Sequence, residues 1–69
     1  MTRRAKNMQI ANADIRARAT ESGVHLWEIA YKLGITDHYF SRKLRKEFSE
    51  EEKTKVFEAI EQIKQERAE

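Results

Sequence analysis

The chain has no cysteine and no proline, and only two glycines among its 69 residues. Without cysteine, neither a disulfide framework nor a thiolate zinc site can hold so small a fold, so a hydrophobic core has to do it. Without proline, nothing breaks long helical stretches, and the abundance of Glu, Lys, Arg, Ala and Ile favours helix throughout. No apolar run approaches the roughly 20 residues that cross a bilayer, and the basic N-terminus is not followed by a signal-type apolar segment. A soluble, cytoplasmic protein with no membrane partner is expected. A chain of this length is one small domain that buries only about 60% of its unfolded surface, which leaves little room for a catalytic cleft or a small-molecule substrate. The two histidines stand alone, and there is no Gly-rich phosphate loop. Nothing brings together a nucleophile, a base and oxyanion donors, or a set of metal ligands, so no enzyme, metal or cofactor is expected.

Net charge is only +2, but it is unevenly spread. Residues 1–23 carry five cations against two carboxylates, residues 24–48 five against three, and residues 49–69 four against seven. The first two thirds are basic and the tail is acidic, the polarity a protein needs to present one face to a polyanion. Within this chain, residues 26–44 form the most informative stretch. In Ile29-Ala30-x-x-Leu33-Gly34-Ile35-Thr36 the apolar positions fall at helical spacing, Gly34 follows the last of them, and Thr36 offers a capping oxygen. One helix stops and another starts within three residues.

This order, continued by Phe40-Ser41-Arg42, resembles the helix-turn-helix of the lambda-repressor-like family, the phage repressor and Cro type. The overall pattern, with a Trp-containing second helix and a Phe-Ser-Arg-Lys-Leu-Arg third helix, is similar to small helix-turn-helix proteins of Gram-positive bacteria and their mobile elements, and the resemblance covers roughly residues 12–48. It implies an all-α, four-helix domain that binds double-stranded DNA with its third helix in the major groove, in transcriptional regulation. Two positions depart from the family pattern. Leu26 stands where members usually carry a polar residue that touches a phosphate, and Lys43 stands where they tend to carry an apolar one. Leu44 is expected to fill that core slot.

The elements follow from caps and periodicity. Residues 1–11 read as a flexible basic arm, either a frayed terminus or a segment lying along phosphates. Asn12 as N-cap and Gly23 as stop bound a first helix over about 13–22, with Ile15 and Ala19 on its inner face. Arg16 and Arg18 point elsewhere, to phosphate or to solvent. A second helix over about 26–33 buries Leu26, Ile29, Ala30 and Leu33, leaving Glu28 and Lys32 as a solvent-facing pair. Trp27 and Tyr31 form a second pair on its flank, read either as packing that enlarges a thin core or as a partner surface. His25 precedes this helix as a hydrogen-bonding residue at its start.

A third helix over about 37–47 places Phe40 and Leu44 inward. At 100° per residue its opposite face carries His38, Ser41, Arg42 and Arg45, the candidate base contacts. Thr36, Tyr39, Lys43 and Lys46 at its edges are candidate phosphate contacts, with Arg16 and Arg18. Ser49 with Glu52 three residues later is a capping box that opens a fourth helix over about 50–67. Its apolar stripe is Val56, Phe57, Ile60 and Ile63, with Ile63 assigned either to packing on the first helix or to a dimer contact. One such domain offers few base contacts, so a two-fold homodimer on a palindromic site is expected. The alternative is a protein-interaction module, such as an antirepressor or regulator subunit, that uses Trp27, Tyr31 and the fourth helix.

Overall fold

The computed structural model describes residues 10–68, and among these every regular element is helical. The order is α1 (Ala13–Ser22), α2 (Leu26–Leu33), α3 (Asp37–Lys43) and α4 (Glu50–Ala68), an all-α domain. The expected arm over residues 1–11 falls, but for Ile10 and Ala11, outside the described residues.

Two helices stop where the glycines predict. Gly23 and Gly34 adopt φ of 69° and 81°, the left-handed region where a Cβ is costly. The same pair of hydrogen bonds then closes each helix. Gly23 N–H donates to Thr20 O at 3.1 Å and Val24 N–H to Ala19 O at 2.9 Å, while Gly34 N–H donates to Tyr31 O and Ile35 N–H to Ala30 O, both at 3.0 Å. This is the Schellman closure, which satisfies otherwise orphaned carbonyls and turns the next apolar residue inward. Val24 is accordingly buried and Ile35 half-buried. Thr36 Oγ1 accepts the Tyr39 N–H at 3.1 Å and so opens α3 after a three-residue turn. α2, that turn and α3 form the helix-turn-helix arrangement.

The third helix is shorter than its periodicity predicts. It ends at Lys43 rather than at 47, and Arg45 and Lys46 lie in a tight turn closed by Arg45 N–H to Arg42 O and Lys46 N–H to Lys43 O, both at 3.2 Å. The cause is Asn12. In a continued α-helix the Phe48 N–H would donate to Leu44 O. Here the Asn12 carboxamide stands between them. Its Nδ2 donates to Leu44 O at 3.0 Å and its Oδ1 accepts from Phe48 N–H at 2.8 Å. Asn12 therefore does not cap α1 with its side chain as expected, although its carbonyl accepts the first helical bond, from Arg16 N–H at 3.0 Å.

The core lies where the four helices meet. α4 packs across both α1 and α2, and α3 packs on α2. Ile15, Ile29, Phe40, Leu44 and Ile60 are fully buried, and Phe40 meets Phe48 edge to face with ring centroids 6.3 Å apart. Leu44 fills the slot that Lys43 cannot. Ala59 joins the core beside Val56, Ile60 and Ile63, while Phe57 is only partly buried at its edge. The α4 start is the expected capping box: Glu52 N–H donates to Ser49 Oγ at 3.2 Å, and Ser49 N–H to Glu52 Oε1 at 3.0 Å.

Candidate nucleic-acid interface

α3 presents His38, Ser41 and Arg42 to solvent on the face opposite Phe40 and Leu44. Arg45, expected on the same helical face, instead follows the helix in the turn with Lys46, because Asn12 ends the helix first. All five side chains are exposed. Among the described residues, Arg42, Arg45 and Lys46 enter no ion pair, since those found engage Arg18, Lys32, Lys43, Lys53, Lys64 and Arg67. A cationic patch thus spans the end of α3 and the turn that follows.

The remaining candidate phosphate contacts divide. Thr36 is exposed and its oxygen already caps α3. Lys43 is half-buried, its ammonium 5.6 Å from the Tyr39 ring, 5.7 Å from the Phe48 ring and 3.5 Å from a Glu52 carboxylate oxygen. That placement turns Lys43 toward α4 and leaves Tyr39, half-exposed, beside it. Arg16 is exposed and its Nε reaches Ala11 O at 3.4 Å. Arg18 is turned away from α3 altogether: its guanidinium stacks 4.7 Å above the Phe57 ring and approaches Glu61 at 4.0 Å.

A carboxylate-rich clasp lies next to the turn. Lys53 of α4 pairs with Asp14 at 2.9 Å and with Glu47, while Glu47 also accepts the Asn12 backbone N–H at 2.7 Å. The Asn12 N–H, then the Lys53 ammonium, hold the Glu47 carboxyl below the usual range. The hydrogen bond from Lys53 does the same for Asp14, and Glu47 and Asp14 together raise Lys53. The Ser49 N–H and then Lys43 lower Glu52. Asp14, Glu47 and Glu52 are thus each engaged by a cation or a backbone N–H, and none of them pairs with Arg42, Arg45 or Lys46. Neither Asn12 nor Glu47 is marked as a site residue by sequence pattern, since the hydrogen bonds that tie Asn12 to residues 44–48 span more than 30 positions.

The far side of the molecule is organised differently. Glu28 and Lys32 do not pair with each other as expected but reach across to the end of α4, Glu28 to Arg67 and Lys32 to Glu66. Arg67 also donates to Gly23 O at 2.6 Å. The His25 N–H, then Arg67, hold the Glu28 carboxyl below its usual range. His25 thus serves the start of α2 through its backbone N–H, 2.8 Å from Glu28 Oε1, while its ring stacks on Trp27 with centroids 6.1 Å apart. Trp27 and Tyr31 are 56% and 84% exposed, so they do not enlarge the core. They flank a groove of about 280 Å³ between α2 and α4. Ile63 lines that groove yet is only 7% exposed, so it belongs to the core and offers little surface to a partner.

Among the described residues no group of three or more metal-ligating side chains gathers, and no helix is long and apolar enough to cross a membrane. Compared with known proteins, the chain matches no family model, no curated protein and no solved structure.

Proposed function

We propose that this domain binds double-stranded DNA in a sequence-dependent way, as a small cytoplasmic transcriptional regulator of bacterial or mobile-element genes with no catalytic role. The observation that carries the reading is the patch of Arg42, Arg45 and Lys46, exposed and without ion-pair partners among the described residues, on the second helix of a helix-turn-helix and the turn after it. α3 enters the major groove. His38, Ser41 and Arg42 meet base edges, with Arg42 suited to the O6 and N7 acceptors of guanine. Arg45 and Lys46, off the helix, neutralise phosphates and release their counterions. Thr36, Tyr39, Lys43 and Arg16 border this surface, whereas Arg18 takes no part in it. Two copies on a palindromic site supply the base contacts that a single seven-residue helix cannot.

The test is binding to random-sequence duplex DNA at two salt concentrations, wild type beside Arg42→Ala. Binding that weakens with salt and falls again on substitution supports the reading. Undetectable binding at low salt overturns it.

A second reading, a protein-interaction module on the same fold, is favoured by the exposure of Trp27 and Tyr31 on one flank of α2. Under it, Trp27→Ala and Tyr31→Ala abolish association with a protein partner, and Arg42→Ala leaves that association unchanged.

A further inference from the structure

Asn12 is the one fully buried polar residue among those described, and it holds a left-handed backbone, φ 57° and ψ 38°, that few residues other than glycine and asparagine accept. Nearly every polar atom it has is in use. Nδ2 donates to Leu44 O at 3.0 Å and to Lys46 O at 2.9 Å, and Oδ1 accepts from Phe48 N–H at 2.8 Å. Its own N–H donates to Glu47 at 2.7 Å. Four of the five residues from 44 to 48 are therefore tied to Asn12, and the fifth, Arg45, lies between two tied neighbours.

From this arrangement we infer that Asn12 is a positioning residue for DNA binding: it ends the recognition helix and fixes the turn that carries Arg45 and Lys46 before DNA arrives. The inference rests on the DNA-binding reading above. Its chemistry requires a short planar group with two donors and one acceptor on a left-handed backbone. Asparagine alone combines these. Aspartate keeps the acceptor but sets an anion against two carbonyl oxygens. Glycine keeps the backbone and drops all three side-chain bonds. With the bonds gone, the segment from 44 to 48 is free to continue α3 or to fray, and the two cations must be ordered at the moment of binding. Lys53, pairing with Glu47 and Asp14, ties the same segment from α4, so loss of Asn12 loosens the turn without releasing it entirely.

The experiment uses the full chain and random-sequence duplex DNA, at a temperature where circular dichroism shows each variant folded. In the wild type, Arg45→Ala with Lys46→Ala is expected to lower the slope of log K against log salt by about 2, close to one per phosphate contact. In an Asn12→Gly background the same pair is expected to change affinity and slope by less than half as much. Asn12→Gly alone weakens binding about tenfold, the factor expected when the backbone of about one further residue has to be ordered on binding, at about 1–2 kcal/mol. A second measurement needs no variant: the Phe48 amide should resist hydrogen exchange in the free protein as strongly as in the complex.

Additive effects of the two changes overturn the inference and leave Asn12 a residue of stability only. So does a Phe48 amide that is protected only when DNA is present. If the wild type shows no salt-dependent binding, the DNA reading falls and the inference falls with it, an outcome distinct from the other two.

Discussion

Most of the described cations fall into two sets that the sequence does not distinguish, with Lys43 paired to Glu52 and with Arg16 and Lys55 outside both sets. On the side built by α1, α2 and the length of α4, Arg18, Lys32, Lys53, Lys64 and Arg67 each lie against a carboxylate. At the end of α3 and in the turn beyond it, Arg42, Arg45 and Lys46 lie against none among the described residues. A net charge of +2 says little about affinity for a polyanion. What matters is that the compensating carboxylates, Glu61 and Glu66 of α4 together with Asp14, Glu28 and Glu47, are engaged by other cations, and none of them pairs with Arg42, Arg45 or Lys46. Charges already neutralised by a neighbour release few counterions on meeting a phosphate, whereas free ones release nearly their full share.

The two sets stay apart only while the helices hold their places, so the strongest way to erase the contrast is through the core. Phe40 anchors α3 beneath its exposed face and is fully buried against Phe48. Phe40→Ala should cost about 3–5 kcal/mol of folding free energy, a large part of what so small a domain has to give. Thermal unfolding followed by circular dichroism checks this. The expected result is a chain largely unfolded near physiological temperature, in which Arg42 and Arg18 are equally solvated. A domain that stays folded with little change would mean that α3 is held by something other than the Phe40 contact.

Next in size is the unpaired set itself. Arg42→Ala should weaken binding to a selected duplex site by about 1–3 kcal/mol through loss of a two-pronged contact to guanine. Lys46→Ala should weaken binding to all sequences alike, with the salt slope falling by about 1. Titration of labelled duplexes at several salt concentrations separates the two effects. The paired set should behave in the opposite way. Arg18→Ala, which removes a cation stacked on Phe57 and near Glu61, should leave DNA binding unchanged and lower stability by less than about 1 kcal/mol. A loss of DNA affinity on Arg18→Ala would mean that the ion pair opens on binding and that the division between the sets is softer than the free protein shows.

How much of this division could be read in advance depends on how local its causes are. α1 and α2 end where Gly23 and Gly34 supply the left-handed residue, and α4 begins where Ser49 and Glu52 cap each other, all within six residues of chain. Those boundaries are legible because the chemistry that sets them is adjacent in sequence. The end of α3 is not, because the residue that terminates it is Asn12, 32 positions from Leu44. An Asn before a helical pattern reads as an N-cap, and its real use depends on a packing that no window of the chain contains. The consequence reaches the site: His38, Ser41 and Arg42 stand where periodicity places them, but Arg45 does not. Glu28 and Lys32 show the same limit, since helical spacing suggests that they face each other and the end of α4 claims both. Trp27 and Tyr31 were ambiguous for a related reason. They line the groove between α2 and α4 beside Glu28 and Lys32, and how far α4 covers that rim depends on contacts that lie outside their own helix.

The smallest expected effect, and the one that sharpens the contrast most finely, comes from acid. Asp14, Glu28, Glu47 and Glu52 all have carboxyl pKa values held below their ordinary positions, by a hydrogen bond from Lys53 for Asp14 and by backbone N–H groups with cationic neighbours for the others. A carboxyl whose folded pKa lies below its unfolded value adds stability that is present above the unfolded value. That stability is lost as pH falls through the folded one. The unfolded positions are near 3.8 for Asp14 and 4.5 for the glutamates, so the melting temperature should be flat from neutral pH down to about 5 and decline below it. These groups are solvent-facing, so the decline should be shallow and should shrink further in added salt. Proton-exchange measurements resolved by residue should show it unevenly. Amides beside the Lys53 clasp, of α1 and the start of α4, lose protection first, while the outer face of α3, where no cation depends on a carboxylate among the described residues, keeps its exposure at every pH. A decline that began above pH 6 would mean that something other than the carboxylate clasp sets the acid limit of the fold.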